Sequence, residues 1–175
     1  MRYNLSLKGD QARLNRMYNL TPAQMKKAAQ KTINTVVPKY QKEAGGAIPR
    51  AAGTSITGYR RVRSKRKLAK VRKLRGEVWQ GTLRIPARYA GRLRQTKGGV
   101  RAGRLFFEGA FIATMKNGYR SVFRRKGAGR YPIEQEFVYL DDSPSIMARL
   151  ADGARRDLSR ILEDEVRKAW RKTVG

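Results

Sequence analysis

A β-hairpin between residues 109 and 132 is the feature that most restricts how this chain can fold. Two runs rich in aromatic and β-branched residues flank Asn117-Gly118, a pair that tolerates the positive φ angles of tight turns. Alternating side chains on either side of such a pair are typical of two antiparallel strands. The stretch therefore predicts a hairpin around which the rest of the chain is placed.

The length of the hairpin loop decides which side chains face each other. A two-residue loop would place Met115 opposite Arg120 and mix charge into both faces. A three-residue loop with Gly118 left-handed pairs Met115 with Tyr119, Ala113 with Ser121 and Phe111 with Phe123. The opposite face then carries Ile112, Thr114, Arg120, Val122 and Arg124. We predict the three-residue loop, because a slip of one residue would turn the apolar set outward.

A basic loop follows the second strand of the hairpin. It runs from Arg124 through Arg125, Lys126, Gly127, Ala128 and Gly129 to Arg130. Its glycines allow close approach of the backbone to a partner. A contact loop and a solvated surface turn are both consistent with this charge.

The same stretch resembles a known family. Gly109-Ala110-Phe111-Ile112, Lys116-Asn117-Gly118 and Gly129-Arg130-Tyr131-Pro132-Ile133 are similar to an ordered set of motifs in the minor tail protein Z family of lambda-like phages, also called tail completion proteins. The resemblance is clearest from Gly109 to Trp170. It implies a structural role in the virion, at the neck of the tail, and no active site.

Composition limits the chemistry that is available to the chain. The 175 residues are enough for a core, and we predict one domain over residues 1–175. Cysteine and histidine are both absent, which removes disulfides, thiolate ligands and the commonest general base. We expect no cofactor and no metal. No signal-like segment or long apolar run is present, which predicts a protein made in the host cytoplasm and kept off membranes.

Charge is distributed very unevenly along the chain. Lys and Arg number 41 against 13 acidic residues, for a formal net charge of +28. Residues 1–133 hold four of the acids, whereas residues 134–175 hold nine acids against eight basic residues. This asymmetry predicts a basic surface for a polyanion and a near-neutral element used in packing or assembly.

The N-terminal third is predicted to be mainly helical. Residues 3–8 alternate as a short strand, and Asp10 could cap a short helix with Leu14 and Met17 inward. Thr21-Pro22-Ala23-Gln24 has the pattern of a capping box and predicts a helix from Pro22. Pro38 predicts a kink, and Glu43-Ala44-Gly45-Gly46 the end of this helix.

Two basic segments, at about 45–75 and 87–103, are predicted to be flexible. Residues 45–58 are rich in glycine and small side chains, which indicates a loop or a loosely ordered arm. Ten of the sixteen residues from Arg60 to Arg75 are basic, and a basic helix could form over part of this run. Residues 87–103 are predicted to be a long basic loop.

The contact residues that we predict for nucleic acid or an acidic partner belong to these basic runs and to the hairpin. They are Arg60, Arg61, Arg63, Lys65, Arg66, Lys67, Lys70, Arg72, Lys73, Arg75, Arg120, Arg124, Arg125, Lys126 and Arg130. A solvated, partly disordered arm is the alternative interpretation of the 60–75 run. The charge density and the lack of compensating acids favour nucleic acid.

The remaining elements complete the predicted core. Residues 77–86 alternate as one strand ended by proline, with Trp79 in the core. Residues 133–140 predict a final strand with Ile133, Phe137 and Tyr139 on one side. Ser143 could cap a last helix that has Pro144 at its first position. Its apolar stripe is predicted to be Ile146, Leu150, Ala154, Leu158, Ile161, Leu162, Val166, Ala169 and Trp170, facing the core or another subunit.

The acidic residues offer no catalytic pair. Asp141-Asp142 lies at a helix start, where the helix dipole explains it, and Glu163-Asp164-Glu165 has basic neighbours on its own helix. No phosphate-binding glycine motif is present. These observations predict a protein that is not an enzyme.

Together these features predict an α+β fold. A small antiparallel sheet with a central hairpin packs with an N-terminal kinked helix and a long C-terminal helix. The leading functional hypothesis is a structural protein of the phage neck that joins the finished tail to the DNA-filled head and positions the DNA end. Its expected partners are the tail terminator, the head–tail connector, other copies in a ring and packaged duplex DNA. The alternative is a sequence-indifferent nucleic-acid-binding module of ribosomal or chromatin type.

Overall fold

A computed structural model describes residues 2–5, 13–14, 17–127 and 129–174. Within these residues three helices combine with short antiparallel strands, which confirms the α+β class. The helices are α1 (Pro22–Ala51), α2 (Ile56–Arg63) and α3 (Ser143–Val174). The strands are β1 (Arg2–Leu5), β2 (Ser64–Lys67), β3 (Gly76–Gln80), β4 (Arg84–Pro86), β5 (Leu93–Thr96), β6 (Gly99–Ala102), β7 (Leu105–Glu108), β8 (Ala110–Thr114), β9 (Arg120–Arg125), β10 (Ile133–Gln135) and β11 (Phe137–Tyr139).

The chain groups into two compact units. The first unit comprises Met1–Ala44, Lys65–Gln80 and Met147–Gly175, and the second comprises Gly45–Ser64 and Gly81–Ile146. Each unit is therefore assembled from segments that are distant in sequence. One folding domain over the whole chain stays a prediction.

Helix α1 begins with the predicted capping box. The Gln24 backbone N–H donates to Thr21 Oγ1 at 3.3 Å, and the Thr21 backbone N–H donates to Gln24 Oε1 at 2.9 Å. This reciprocal pair satisfies two N–H groups that a helix start leaves without partners. Pro22 is the first residue of the helix, as predicted.

The predicted end of this helix at residues 43–46 was wrong. Helix α1 continues through Pro38 and through Gly45-Gly46 to Ala51, so it includes the first residues of the predicted 45–58 loop. Val36, Val37 and Ile48 are at most 1% exposed. Burial of this apolar face stabilises the helix by more than the glycines and the missing proline N–H cost.

The core of the first unit forms between α1, α3 and one face of a three-stranded sheet ordered β1-β3-β2. Ile33 and Val37 of α1 pack in this cluster with Leu158, Leu162 and Val166 of α3. The apolar stripe of α3 is therefore a core face, as predicted for its central turns. Trp170 is 39% exposed at the end of the stripe.

The predicted phase of the strand after residue 76 was wrong. Val78 is 4% exposed and Gln80 is fully buried, whereas Trp79 is only half-buried on the other face. Gly76 explains this phase, because a Cβ there would lie 2.5 Å from methyl carbons of both Ile33 and Val37. The close approach of α1 at this glycine fixes the even-numbered side chains as the core face.

The second unit contains the predicted hairpin with the predicted register. Phe111 pairs with Phe123 and Ala113 with Ser121, and the Met115 backbone N–H donates to the Tyr119 carbonyl at 2.9 Å. Gly118 has a φ of +75°. The three-residue loop with a left-handed glycine is therefore confirmed.

The faces of the hairpin are less distinct than predicted. Ser121 and Val122 are fully buried and Phe123 is 5% exposed, so the middle of β9 is covered on both sides. Strand β9 is the central strand of a sheet ordered β10-β9-β8, which gives it neighbours on both edges. Val122 therefore belongs to the core, although it was predicted on the opposite face.

Other predicted elements of the second unit were also revised. Residues 56–63 form helix α2, and residues 93–102 form two paired strands within the predicted basic loop. The predicted strand 77–86 is interrupted after Gln80. The flexibility assigned to 45–75 and 87–103 stays a prediction, although both ranges contain regular elements.

The predicted final strand is split at Glu136. The Glu136 backbone N–H donates to the Val122 carbonyl, and its carbonyl accepts from the Ala87 N–H, both at 2.9 Å. Residues 133–135 pair with β9, and residues 137–139 pair with β4. Because the strand changes partner here, the predicted single face is lost.

The ends of the chain bring two further corrections. The described part of the first strand is residues 2–5, and residues 6–8 of the predicted strand lie outside the described residues, as does Asp10. Leu14 is buried as predicted, but Met17 is 63% exposed. At the last helix the Asp142 carbonyl accepts from the Ile146 N–H, so Asp142 is the N-cap residue and Ser143 is the first helical residue.

Candidate partner-binding surfaces

The predicted contact cations are divided between the two units. Seven of them, from Lys65 to Arg75, belong to the first unit. Arg60, Arg61 and Arg63 of helix α2 belong to the second unit, together with the five cations of the hairpin region. The continuous basic run of the sequence is therefore not one structural element.

In the first unit, strand β2 leads into a tight turn. We call residues 68–75 the basic turn. The backbone N–H of Lys70 donates to the Lys73 carbonyl at 3.1 Å, and the Lys73 N–H donates to the Lys70 carbonyl at 2.9 Å. Among the described residues no carboxylate lies within 4 Å of Lys70, Arg72 or Lys73, and all three are exposed. The basic turn therefore presents three cations to solvent.

Helix α1 anchors the basic turn through Ala69, which is 4% exposed. Asn34 Oδ1 accepts from the Ala69 backbone N–H at 2.8 Å, and Asn34 Nδ2 donates to the Ala69 carbonyl at 3.3 Å. Gln30 Nε2 donates to the same carbonyl at 3.2 Å. Two side-chain amides thus hold one residue of the basic turn on the helix.

A groove of about 270 Å³ lies beside β2 in the first unit. Lys65, Arg66, Lys67, Glu77 and Trp79 line it. The Glu77 carboxylate lies 3.8 Å from Lys67 Nζ and 3.4 Å from Arg75 Nε. Two of the predicted contact cations therefore share one intramolecular carboxylate.

Two of the three arginine side chains on helix α2 of the second unit pack closely against glycine residues. A Cβ at Gly45 would lie 3.0 Å from Arg60 Nε, and one at Gly81 would lie 2.4 Å from Arg63 Cδ. Both side chains therefore lie against backbone, with their stems packed and only part of their length available. Arg61 is exposed.

Tyr59 fixes helix α2 in the second unit. Its side chain is fully buried, and its hydroxyl donates to the Gly81 carbonyl at 3.1 Å. Burial raises the pKa of Tyr59 strongly, while the neighbouring Arg63 opposes that shift. The phenol is therefore neutral and has a structural role.

Two of the hairpin cations have acidic partners in the second unit. Arg124 Nε lies 2.6 Å from the Glu136 carboxylate, and Lys126 Nζ lies 3.2 Å from that of Glu134. The Arg125 guanidinium lies 5.6 Å from the centre of the Phe111 ring. Among the described residues Arg125 and Arg130 have no carboxylate within 4 Å. These two cations are therefore better placed to contact an external anion.

Sequence reasoning missed two further arginines of the second unit. The Arg84 guanidinium lies 4.1 Å from the Phe137 ring centre, in an open groove of about 670 Å³ that also contains Arg125 and Tyr139. The Arg88 guanidinium lies 4.5 Å from the Tyr89 ring and 4.1 Å from the Tyr119 ring. Phe137 and Tyr119 are far from these arginines in sequence, so no local pattern could have indicated either contact.

The described part of the chain contains no group of three or more acidic side chains that could hold a metal ion. None of its helices has the length and apolar character needed to cross a bilayer. The described surfaces instead define a class: a basic α+β protein whose cations are presented on turns, a helix and a hairpin.

Comparison with known families assigns the chain within that class. The family model described as prophage minor tail protein Z (GPZ) matches residues 7–174 of the 175. The chain belongs to this family, so it is a structural component of a phage tail and a virion protein. Neither a search of curated proteins nor a search of solved structures found a significant match. The family assignment gives no support to the ribosomal or chromatin alternative.

Proposed function

We propose that this protein completes the phage tail, acting at the neck to join the finished tail to the DNA-filled head and to position the DNA end. The observation that carries the proposal is the family match over residues 7–174. The formal net charge of +28 supplies a physical means, since a basic surface attracts both packaged DNA and acidic neighbouring proteins.

In this proposal the protein acts as a ring of identical subunits and without catalysis. Its partners are the tail terminator, the head–tail connector and the leading end of the duplex. The protein is made and assembled in the host cytoplasm before it enters the virion. The mass of the purified protein in solution tests the ring, and we expect an oligomer. A monomer at all concentrations would contradict self-assembly, because a ring could then form only on the partner proteins.

The proposed DNA contact should be electrostatic and indifferent to sequence. Arginine and lysine side chains on turns reach phosphates, whereas base reading requires side chains held in a groove. Replacing Arg125 and Arg130 by glutamine should lower the slope of log affinity against log salt by about 2, since each phosphate contact contributes about 0.9.

A charge-conserving variant provides the control for this measurement. Arg124→Gln combined with Glu136→Gln removes a 2.6 Å ion pair and leaves the net charge unchanged. Its salt slope should match that of the parent on two unrelated duplexes. An equal loss of slope in both variants, or a strong preference for one duplex, would contradict the proposed contact.

Complementation of an extract tests the function itself. A lysate of phage lacking this protein should contain tails and filled heads that become infectious when the purified protein is added. The expected result is a rise in titre that depends on the added protein. A lysate that stays non-infectious although filled heads and full-length tails are present would contradict a role at the final joining step.

A further inference from the structure

The basic turn of the first unit carries exposed aliphatic side chains as well as cations. Leu68 is 46% exposed and Val71 is 53% exposed. They alternate with Lys67, Lys70 and Arg72, which are all exposed. We infer that the basic turn, with the adjoining sheet face at Trp79, binds an acidic protein surface that offers an apolar depression, and that it does not bind DNA.

Rigid presentation supports a specific interface. Three hydrogen bonds between Ala69 and the side chains of Asn34 and Gln30 fix Ala69 on helix α1, directly beside Leu68. The backbone bonds between Lys70 and Lys73 close the turn that carries Val71. Because the backbone is already ordered, binding here loses less conformational entropy than binding by a free arm would.

The charges next to the basic turn favour a protein over a phosphate backbone. Glu77 lies between Lys67 and Arg75, two residues before Trp79 on β3. This carboxylate offsets the charge of Lys67 and Arg75, so the surface around Trp79 has less positive charge for a phosphate backbone than its lysines and arginines alone would give. The half-buried Trp79 ring and the two aliphatic side chains gain little from a phosphate backbone and much from an apolar partner surface.

Charge also identifies the kind of partner. A second copy of this chain has 13 acidic against 41 basic side chains, so it offers the cations of the basic turn few carboxylates to pair with. An acidic surface on a different tail protein is complementary to Lys67, Lys70, Arg72 and Lys73. The identity of the partner as a tail protein rests on the proposed function.

The test uses tails assembled without this protein as the probe. The double variant Leu68→Ser/Val71→Ser removes apolar area and leaves every charge in place. Leu83→Ser is the matched control, because Leu83 is 82% exposed and belongs to the second unit. Cosedimentation with these tails should weaken about tenfold for the double variant and remain at the parental level for the control.

Parallel measurements separate the possible outcomes. The double variant should bind a short DNA duplex with the affinity of the parent. The melting temperature of the variant protein should also match that of the parent. The inference is overturned if the folded double variant binds the tails as tightly as the parent does. It is also overturned if the double variant keeps its tail binding but binds more weakly to the duplex or to vesicles containing phosphatidylglycerol. If the parent protein itself does not bind the tails, both the tail partner and the proposed function fail. If the parent and the double variant bind the tails equally well, this inference is refuted and the proposed function is not.

Discussion

A substitution at Gly118 in the hairpin measures the cost of backbone strain with little contribution from lost or new side-chain contacts. Its φ is +75°, and its backbone N–H donates to the Met115 carbonyl at 2.9 Å. A Cβ built at this position meets no atom within 4 Å. The Cβ of a valine here therefore has no close neighbour, and we expect its cost to come from forcing a β-branched residue into the left-handed region.

The expected cost can be worked out from that geometry. A left-handed conformation costs an ordinary L-residue about 1–2 kcal/mol, and β-branching places valine at or above the upper end. We therefore expect Gly118→Val to lower the free energy of unfolding by about 2 kcal/mol. For a chain of this length that corresponds to a fall of about 4–8 °C in melting temperature.

Gly127 provides the matched control in the same region. A Cβ at Gly127 also meets no atom within 4 Å, and its φ lies outside the left-handed range. Thermal unfolding followed by circular dichroism should show a clear loss for Gly118→Val and little change for Gly127→Val. Equal stability of the parent and Gly118→Val would refute the left-handed turn, and equal losses in both variants would refute backbone strain as the cause.

Three further predictions concern the first unit. Leu158→Asp should destabilise it by several kcal/mol in chemical denaturation, because Leu158 is 3% exposed in the core, whereas Ala148→Asp on the exposed side of the same helix should not. The hydrogen bond from Lys39 lowers the pKa of Asp157 below 3.8, so its stabilisation is present above that pH and is lost as the pH falls toward the lowered value. Asp157→Asn should accordingly destabilise the protein at neutral pH and reduce its loss of stability between about pH 5 and pH 2, and a parental pH profile would count against the ion pair. Thr21→Ala should cost about 1 kcal/mol in the same assay by removing the cap of α1, and no loss would contradict the capping box.

The features that sequence predicted correctly are determined by residues close together in the chain. The register of the hairpin follows from the conformational freedom of Gly118 and the pattern on either side of it. The start of α1 follows from Thr21 and Gln24, three residues apart. In both cases the deciding hydrogen bonds join near neighbours, so the local sequence contains the necessary information.

The features that were predicted wrongly depend on contacts between distant segments. Gly45-Gly46 would end an isolated helix, yet buried side chains on both sides, from Val37 to Ile48, carry α1 through them. The phase of β3 is set by the approach of Ile33 and Val37 to Gly76, about forty residues away in sequence. Tertiary packing overrides local preference at such positions.

The sequence predicted which residues of the candidate surfaces are basic, but not which side chains lie next to one another. The sequence shows that Arg124 and Lys126 are basic, but not that Glu136 and Glu134 lie beside them. It also assigned Trp79 to the core, although the structure places its ring in a groove beside Lys65. The pairing of side chains across strands, which no single stretch encodes, decides which cations can contact a partner.

The most direct test of the proposed tail-completion role is electron microscopy of particles made without this protein. The proposal predicts DNA-filled heads and full-length tails in normal numbers, with few of them joined, or with joined particles whose DNA end is misplaced, and a low titre in either case. Normal joining and normal infectivity would contradict the proposal. Absence of tails or of filled heads would also contradict it, because the protein would then act at an earlier step of assembly.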